Sequence, residues 1–188
     1  MKVSFVQILF RTRSVLATLW VLLLLVFSAP LITWWAPLLF LPGLGIRFWA
    51  AGFIGPVSRR SKISSDHLTT RGPYSLFRHP LYIGNALLVV AGLTLLRPHW
   101  ILTVVTVVVF VVLYILLARA EERKFIDRYG SEYSTYRKRV TPFFPRKYEG
   151  PLFKGFNFRW ALAEYQTWIV IGILWGLAFV RTLLPGLV

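Results

Sequence analysis

The chain has no cysteine, and among its 188 residues it has 7 Asp and Glu against 22 Lys and Arg. Without thiols there is no disulfide and no thiolate metal centre, and nothing about redox compartment follows. Histidine is scarce as well. His67, His79 and His99 show no HxxxH or HxxE spacing, so no metal site is expected. The shortage of acid leaves a formal charge of +15, a balance that points either to nucleic acid or to an anionic membrane surface. What is abundant decides between them. With 56% hydrophobic residues and a mean hydropathy of +0.62 the chain is too apolar for a soluble domain, so an all-α integral membrane protein is expected, with membrane lipids and no nucleic acid as partners.

Lys2, Arg11 and Arg13 precede an uncharged run from Ser14 to Ile46, a beginning like that of a secretory signal peptide. The run outlasts the apolar core of such a leader, about 7 to 15 residues, so no cleavage is expected. It also outlasts the roughly 20 residues of one crossing, and Pro30, Pro37 and Pro42 interrupt it. Two spans follow, from Ser14 to a few residues past Phe27 and from about Leu38 to Val57, with Trp34 and Trp35 at the interface between them. A third covers Pro80 to Leu96, a fourth Trp100 to Ala118, and a fifth Trp160 to Val180, which admits one charge, Glu164. The β-branched run Val104 to Val109 would read as strand in water, but in a bilayer each backbone group must be satisfied within its own segment, so helix is expected. With five spans and the N-terminus in the cytoplasm, every Lys and Arg except Arg47, Arg97 and Arg181 falls on the cytoplasmic side. The positive-inside rule therefore puts the N-terminus and the polar loops inside and the C-terminus on the opposite side.

The chemistry concentrates between Arg71 and Asn85, R-G-P-Y-S-L-F-R-H-P-L-Y-I-G-N. Pro73 and Pro80 set φ near −65° and push Gly72 and His79 toward extended backbone. Pro80 suits the first turn of a helix, whose remaining N–H groups point at whatever lies beside His79. Tyr74 and Tyr82 flank Arg78 and His79 as amphipathic rings at the bilayer boundary. An interfacial anchor would account for Arg-His-Pro alone; the density of imidazole, phenol and guanidinium favours a site. A second polar cluster, Glu121 and Glu122, lies at the C-terminal end of the fourth span, where acids oppose the helix macrodipole. They are expected either to pair with Arg119 or Arg123, or to bind a cationic ligand that also meets His79 and Tyr82. From Arg119 to Val140, the positions Phe125, Tyr129, Tyr133, Tyr136 and Val140 form one helical face, and Arg123, Lys124, Arg128, Arg137, Lys138 and Arg139 occupy the others. That pattern predicts a cytoplasmic amphipathic helix lying in the interface against anionic lipid, broken by Gly130. Arg47, inside the second span, would cost about 2.5 to 3.5 kcal/mol facing lipid, so it is expected to face protein or a polar cavity, with snorkelling as the alternative.

G-P-Y-S-L-F-R-H-P-L-Y-I-G, followed by E-E-R-K-F-I-D-R-Y-G-S-E-Y-S-T-Y-R-K-R-V and a proline, resembles the isoprenylcysteine carboxyl methyltransferases and the related phospholipid methyltransferases over about Gly45 to Pro145. The resemblance implies a small multispanning enzyme that uses S-adenosylmethionine. It implies that the cofactor is held on the cytoplasmic side by Asp66, His67, Leu68, Thr69, Tyr74, His79, Pro80, Leu81, Tyr82 and Glu121, with Arg78 and Glu122 counted beside them. On this view 14–57 is an N-terminal helical hairpin, 58–145 the cofactor-binding core and 146–188 a connector and terminal helix, all of one membrane domain. Two departures stand out. The eukaryotic prenylcysteine enzymes carry an arginine four residues before the glutamate, where this chain has Leu117, with Arg119 the nearest guanidinium; the terminal span lies outside the resemblance.

The residues fit that chemistry on their own account. Displacement at a sulfonium needs alignment and exclusion of water rather than a covalent or metal catalyst. Glu121 can pair with the cofactor's ammonium or ribose hydroxyls, while His79, Tyr74 and the N–H groups at the Pro80 helix start can hold its carboxylate. Arg47 and Arg119 would orient an anionic acceptor entering between spans, a prenylcysteine carboxylate or a lipid phosphate, so the catalytic set is Arg47, Arg119 and Glu121. The acceptor is then a lipidic or prenylated small molecule. Two other readings compete: an NADPH-dependent reductase of the sterol or steroid type, similar near its C-terminus, and a non-catalytic scaffold whose basic face recruits anionic lipid.

Overall fold

The computed structural model describes residues 17–30, 36–54, 68–145 and 151–183. Among them the regular structure is helical: α1 (Ala17–Val26), a 3-10 turn (Ala36–Phe40) that runs into α2 (Leu41–Ile54), a second 3-10 turn (Gly72–Ser75), α3 (Pro80–Leu96), α4 (Trp100–Arg139), α5 (Phe158–Leu162) and α6 (Tyr165–Leu183). Three stretches, Pro37–Ile54, Trp100–Arg139 and Phe158–Leu183, are long and apolar enough to cross a bilayer, and Ala17–Val26 and Pro80–Leu96 are shorter apolar helices. The chain is an all-α membrane protein. The outer ends expected for the first two spans, Ser14 and Val57, lie outside the described residues, as do Asp66 and His67.

α2 and α3 cross where neither has a side chain. A Cβ on Gly43 would stand 2.9 Å from the Gly84 carbonyl oxygen, and one on Gly84 would meet the Gly43 oxygen at 3.1 Å and Arg47 Cγ at 2.5 Å. Glycines on both sides let the backbones approach, and the Arg47 stem is laid over Gly84. At the far end of the bundle Arg97 closes α3 in a left-handed conformation (φ 48°), and its N–H donates to the Leu93 carbonyl at 2.9 Å. Ser28 bridges Pro98 in that turn, and Arg181 Nε donates to the Ser28 carbonyl at 3.3 Å, so the ends of α1 and α6 meet the α3–α4 connection. The core beneath it contains Leu24, Phe40, Leu44, Ala91, Leu95, Leu96 and Ala178.

α4 differs from the separate interfacial helix expected after Ala118. It passes through Ala118 and Arg119 without a break and is non-helical only at Gly130 (φ 51°, ψ −117°). At about 1.5 Å per residue the stretch from Trp100 to Tyr129 is about 44 Å long, against about 30 Å of hydrocarbon, so the part beyond Ala118 stands clear of the apolar layer. Past the kink the aromatic face turns onto the chain rather than onto lipid. Tyr133, Tyr136 and Val140 are buried, with Leu68, Phe125 and Tyr129 packed against them, and the Tyr136 hydroxyl donates to the Tyr74 carbonyl at 2.6 Å. Gly130 makes this possible, because a positive φ costs glycine no Cβ clash.

The expected fifth span is two helices. α5 stops at Leu162, Ala163 and Glu164 form a step, and α6 begins at Tyr165. The segment before α5 clasps α2: Phe156 lies over Phe48 and Phe53, Trp49 Nε1 donates to the Leu152 carbonyl at 3.1 Å, and the Asn157 N–H donates to the Gly52 carbonyl at 2.8 Å. The extended backbone expected at Gly72 and His79 is found at neither: His79 has φ −126° and ψ 60°, and Gly72 departs further. It is not extended but has φ +57°, and a Cβ there would lie 2.4 Å from the Phe53 ring, so it opens the 3-10 turn in a conformation and a space that suit glycine.

Candidate functional site

Pro80 occupies the first turn of α3, with His79 as its N-cap residue. The loop before it is pinned from the end of α4: the Arg78 N–H donates to the Thr141 carbonyl at 2.9 Å and the His79 N–H to the Pro142 carbonyl at 3.2 Å. Because the same α4 carries Glu121 and Glu122, these bonds bring the two sequence motifs together. His79 is buried, 5% exposed. Its Nε2 donates to Glu122 Oε1 at 3.2 Å, and its Nδ1 lies 3.7 Å from Glu121 Oε2. The imidazole stacks on Tyr82 (ring centroids 5.2 Å apart, planes 8° apart), with Phe143 at 5.8 Å.

The adjacent glutamates have different tasks. Glu122 accepts the His79 bond, has Arg78 Nη1 at 3.1 Å on the same oxygen and Arg137 Nε at 3.7 Å on the other. Burial pushes its pKa up, but the His79 hydrogen bond and the charges of Arg78, His79 and Arg137 more than offset this and hold it below the ordinary value. Glu121 is more open, its side chain 29% exposed, and among the described residues its nearest ionic neighbour is His79. The Arg78 side chain is buried, with its guanidinium against the Glu122 carboxylate and beside the Tyr133 phenol. That phenol is pushed up to about 12 by burial and by the Glu122 charge, so it stays protonated.

Of the other residues singled out from sequence, Pro80 is buried, Thr69, Tyr74 and Leu81 are half-buried, and Leu68 is half-buried against Tyr133 and Tyr136. The anion cradle expected at the α3 start is largely closed. Pro80 has no N–H, the His79 N–H is used by Pro142, and those of Tyr82 and Ile83 both donate to the His79 carbonyl. Arg119 is exposed on α4. Leu117, at the position where the prenylcysteine enzymes have arginine, is buried with Tyr82 and Ala118 and partly covered by Leu81, Tyr114 and Phe143. A guanidinium there would displace apolar packing beneath the Tyr82 ring.

Arg47, expected to face protein or a polar cavity, faces protein and is fully engaged there. Its Nε and Nη2 donate to Glu164 Oε2 at 2.9 and 2.7 Å, Nη2 also to Thr167 Oγ1 at 3.3 Å, and Nη1 to Asn85 Oδ1. Asn85 Nδ2 in turn donates to the Tyr114 hydroxyl at 2.9 Å. The Arg47 and Glu164 side chains are 16% and 4% exposed, so each charge needs the other in a low-dielectric interior. Sequence reasoning found Arg47 and noticed Glu164, but did not join them. One available signal was that each is the single charge in its own apolar span. Asn85, Tyr114 and Thr167 carry no comparable signal, since each is an ordinary polar residue of a membrane helix.

The fold and site define a multispanning helical membrane protein whose buried imidazole, carboxylates and guanidinium are gathered from two separate motifs. The model of the phospholipid methyltransferase family matches residues 31–132, more than half of the chain, and the chain belongs to that family. It is 37% identical over 121 residues to the cobalt-zinc-cadmium resistance protein CzcN of Cupriavidus metallidurans, a match covering 61% of this chain and 52% of that protein. It is 34% identical over 100 residues to the nickel-cobalt-cadmium resistance protein NccN of Alcaligenes xylosoxydans xylosoxydans, covering 53% and 43%. The chain thus spans about half the length of the curated relatives it matches. No solved structure matches it.

Proposed function

We propose that the protein is a membrane-embedded methyltransferase that uses S-adenosylmethionine and transfers methyl to a lipidic acceptor, either a prenylcysteine carboxylate or a lipid head group. The observation that carries this reading is the division of labour between the two glutamates: Glu122 is committed to Arg78 and His79, while Glu121, partly exposed beside a buried imidazole, keeps a carboxylate for a cationic ligand. Family membership supports it. S-adenosylmethionine, when bound, supplies an activated methyl on a sulfonium. Glu121 would pair with its ammonium or ribose hydroxyls, and the positive charge of the Arg78 guanidinium, held by Glu122, would draw its carboxylate. Glu122 keeps Arg78 and His79 in place, and Tyr82, Phe143 and Leu117 exclude water. Arg119, exposed two residues before Glu121, orients an anionic acceptor arriving from the lipid. The charge distribution of the sequence supports a cytoplasmic site. The names of the two relatives support a setting of metal-ion resistance.

The test uses the purified protein in lipid nanodiscs. Saturable binding of labelled S-adenosylhomocysteine is expected, together with methyl transfer to one of three acceptors: prenylcysteine, phosphatidylethanolamine or total lipid extract. Saturable NADPH binding without a response to S-adenosylhomocysteine would overturn this reading in favour of a reductase. Silence toward both ligands, in parent and Glu121→Gln alike, would leave a scaffold.

A further inference from the structure

We infer that Glu164, at the step between α5 and α6 and beyond the family-matched residues 31–132, is a positioning residue for His79, acting through Arg47, Asn85, Tyr114 and Tyr82. Each link fixes the next. Glu164 Oε2 takes Nε and Nη2 of Arg47, and because a guanidinium is planar, this aims Nη1 at Asn85 Oδ1. With its oxygen so engaged, the Asn85 amide has one orientation, and its Nδ2 donates to the Tyr114 hydroxyl. That bond sets the Tyr114 ring, which stacks on Phe110 (centroids 4.1 Å apart) and presents its edge to Tyr82 (4.8 Å, 88°). Tyr82 is the ring on which His79 lies. Gly84 leaves the space through which the Arg47 stem reaches Asn85.

The network depends on Glu164 for an electrostatic reason. An arginine deprived of its counter-charge inside a membrane bundle does not hold its place; its long stem carries the charge toward the head groups. Arg47 would then leave Asn85, the amide would lose the partner that sets its orientation, and Tyr114 and Tyr82 would lose the reference that fixes their rings. The step between α5 and α6 is therefore part of the site rather than of an appended anchor. Its effect on catalysis rests on the methyl-transfer reading; its effect on His79 does not.

The experiment reads His79 directly, by 15N spectra of the full chain labelled at histidine, in nanodiscs, with His79→Ala to assign its signals. Glu164→Gln and Tyr114→Phe are each expected to shift both ring nitrogens of His79 and to leave those of His99, which caps α4 at the opposite end, unmoved. Both are expected to lower methyl transfer about tenfold. Tyr114→Phe keeps every ring contact and loses one hydroxyl, so it decides the matter if Glu164→Gln does not fold. His79 signals unchanged in a folded variant would overturn the inference, as would a shift in Tyr114→Phe without one in a folded Glu164→Gln. A parent that ignores S-adenosylhomocysteine would sink the enzymatic reading alone, since the spectra would still report on the link.

Discussion

Arg47 and Glu164, 117 positions apart in the chain, form an ion pair of 2.7 Å between α2 and the step that precedes α6. It is the ionic contact, among the described residues, between the C-terminal helices and the region shared with the phospholipid methyltransferase family. Desolvation makes such a pair a doubtful source of net stability, yet removing one partner strands the other. Arg47→Leu is thus expected to destabilise the protein by about 3–5 kcal/mol, and Arg47→Leu combined with Glu164→Leu by much less than the two single changes together. Unfolding in mixed micelles would measure this, and strictly additive losses would count against the pair.

The glycines offer a matched comparison. Gly72→Ala forces a Cβ to within 2.4 Å of the Phe53 ring at a φ of +57°, so a loss of about 1–3 kcal/mol is expected. Gly92→Ala, in α3 with nothing within 4 Å of its Cβ position, should be neutral or stabilising by up to about 1 kcal/mol. Melting temperatures in one detergent should fall below the parent for Gly72→Ala and lie at or above it for Gly92→Ala.

These two predictions also mark how far the sequence could be read. The bounds of α3 and the helical state of Val104 to Val109 followed from local rules, charge-free length and the need to satisfy each backbone group, and those rules act within one segment. That His79 and the Glu121–Glu122 pair belong to one site was read from two polar clusters falling on the same side of the spans, and motif resemblance added to it. What was illegible depends on long-range geometry. That Tyr133 and Tyr136 bury against Leu68 and Tyr74 rather than lipid follows from one backbone angle at Gly130, and hydrophobic periodicity is the same for either partner. That Arg47 belongs to Glu164 needs the α2–α3 crossing and the step at Ala163, neither of which has a periodic signature.

The charge bias predicts a sidedness that a reporter can check. If α1 to α6 supply five crossings with the N-terminus in the cytoplasm, a C-terminal fusion active only in the cytoplasm should be silent. A strong signal would refute either the orientation or the number of crossings.

Acid should expose the commitment of Glu122. Its pKa is lowered in the folded protein below the ordinary carboxylate value, burial opposing and His79, Arg78 and Arg137 prevailing. A depressed carboxylate contributes stability that is fully present above its unfolded pKa and is lost as pH falls through the folded one. Between about pH 4.5 and the lower folded value the parent should therefore lose stability with acid more steeply than Glu122→Gln. Denaturation midpoints of both proteins across that window would show it, and parallel curves would mean that the cluster does not hold Glu122 ionised.

The two glutamates should separate cleanly when each is changed alone. Glu121 is partly exposed and meets the cluster only at 3.7 Å from His79, so Glu121→Gln should alter stability by no more than about 0.5 kcal/mol. If it is the carboxylate that receives the cofactor, the same change removes a charge-assisted interaction of about 1.5–3 kcal/mol, a weakening of S-adenosylhomocysteine binding of roughly tenfold or more. Glu122→Gln does the reverse. It leaves the buried Arg78 guanidinium without its counter-charge, at a cost of about 3 kcal/mol or more, and frees the imidazole of His79, so stability falls first and binding falls as its consequence. Isothermal titration beside thermal unfolding, on both variants, gives the two quantities independently. Weak binding with full stability in Glu121→Gln, against lost stability in Glu122→Gln, is the expected pattern. Its inversion would mean that Glu122 receives the ligand and that the ion pair with Arg78 opens on binding.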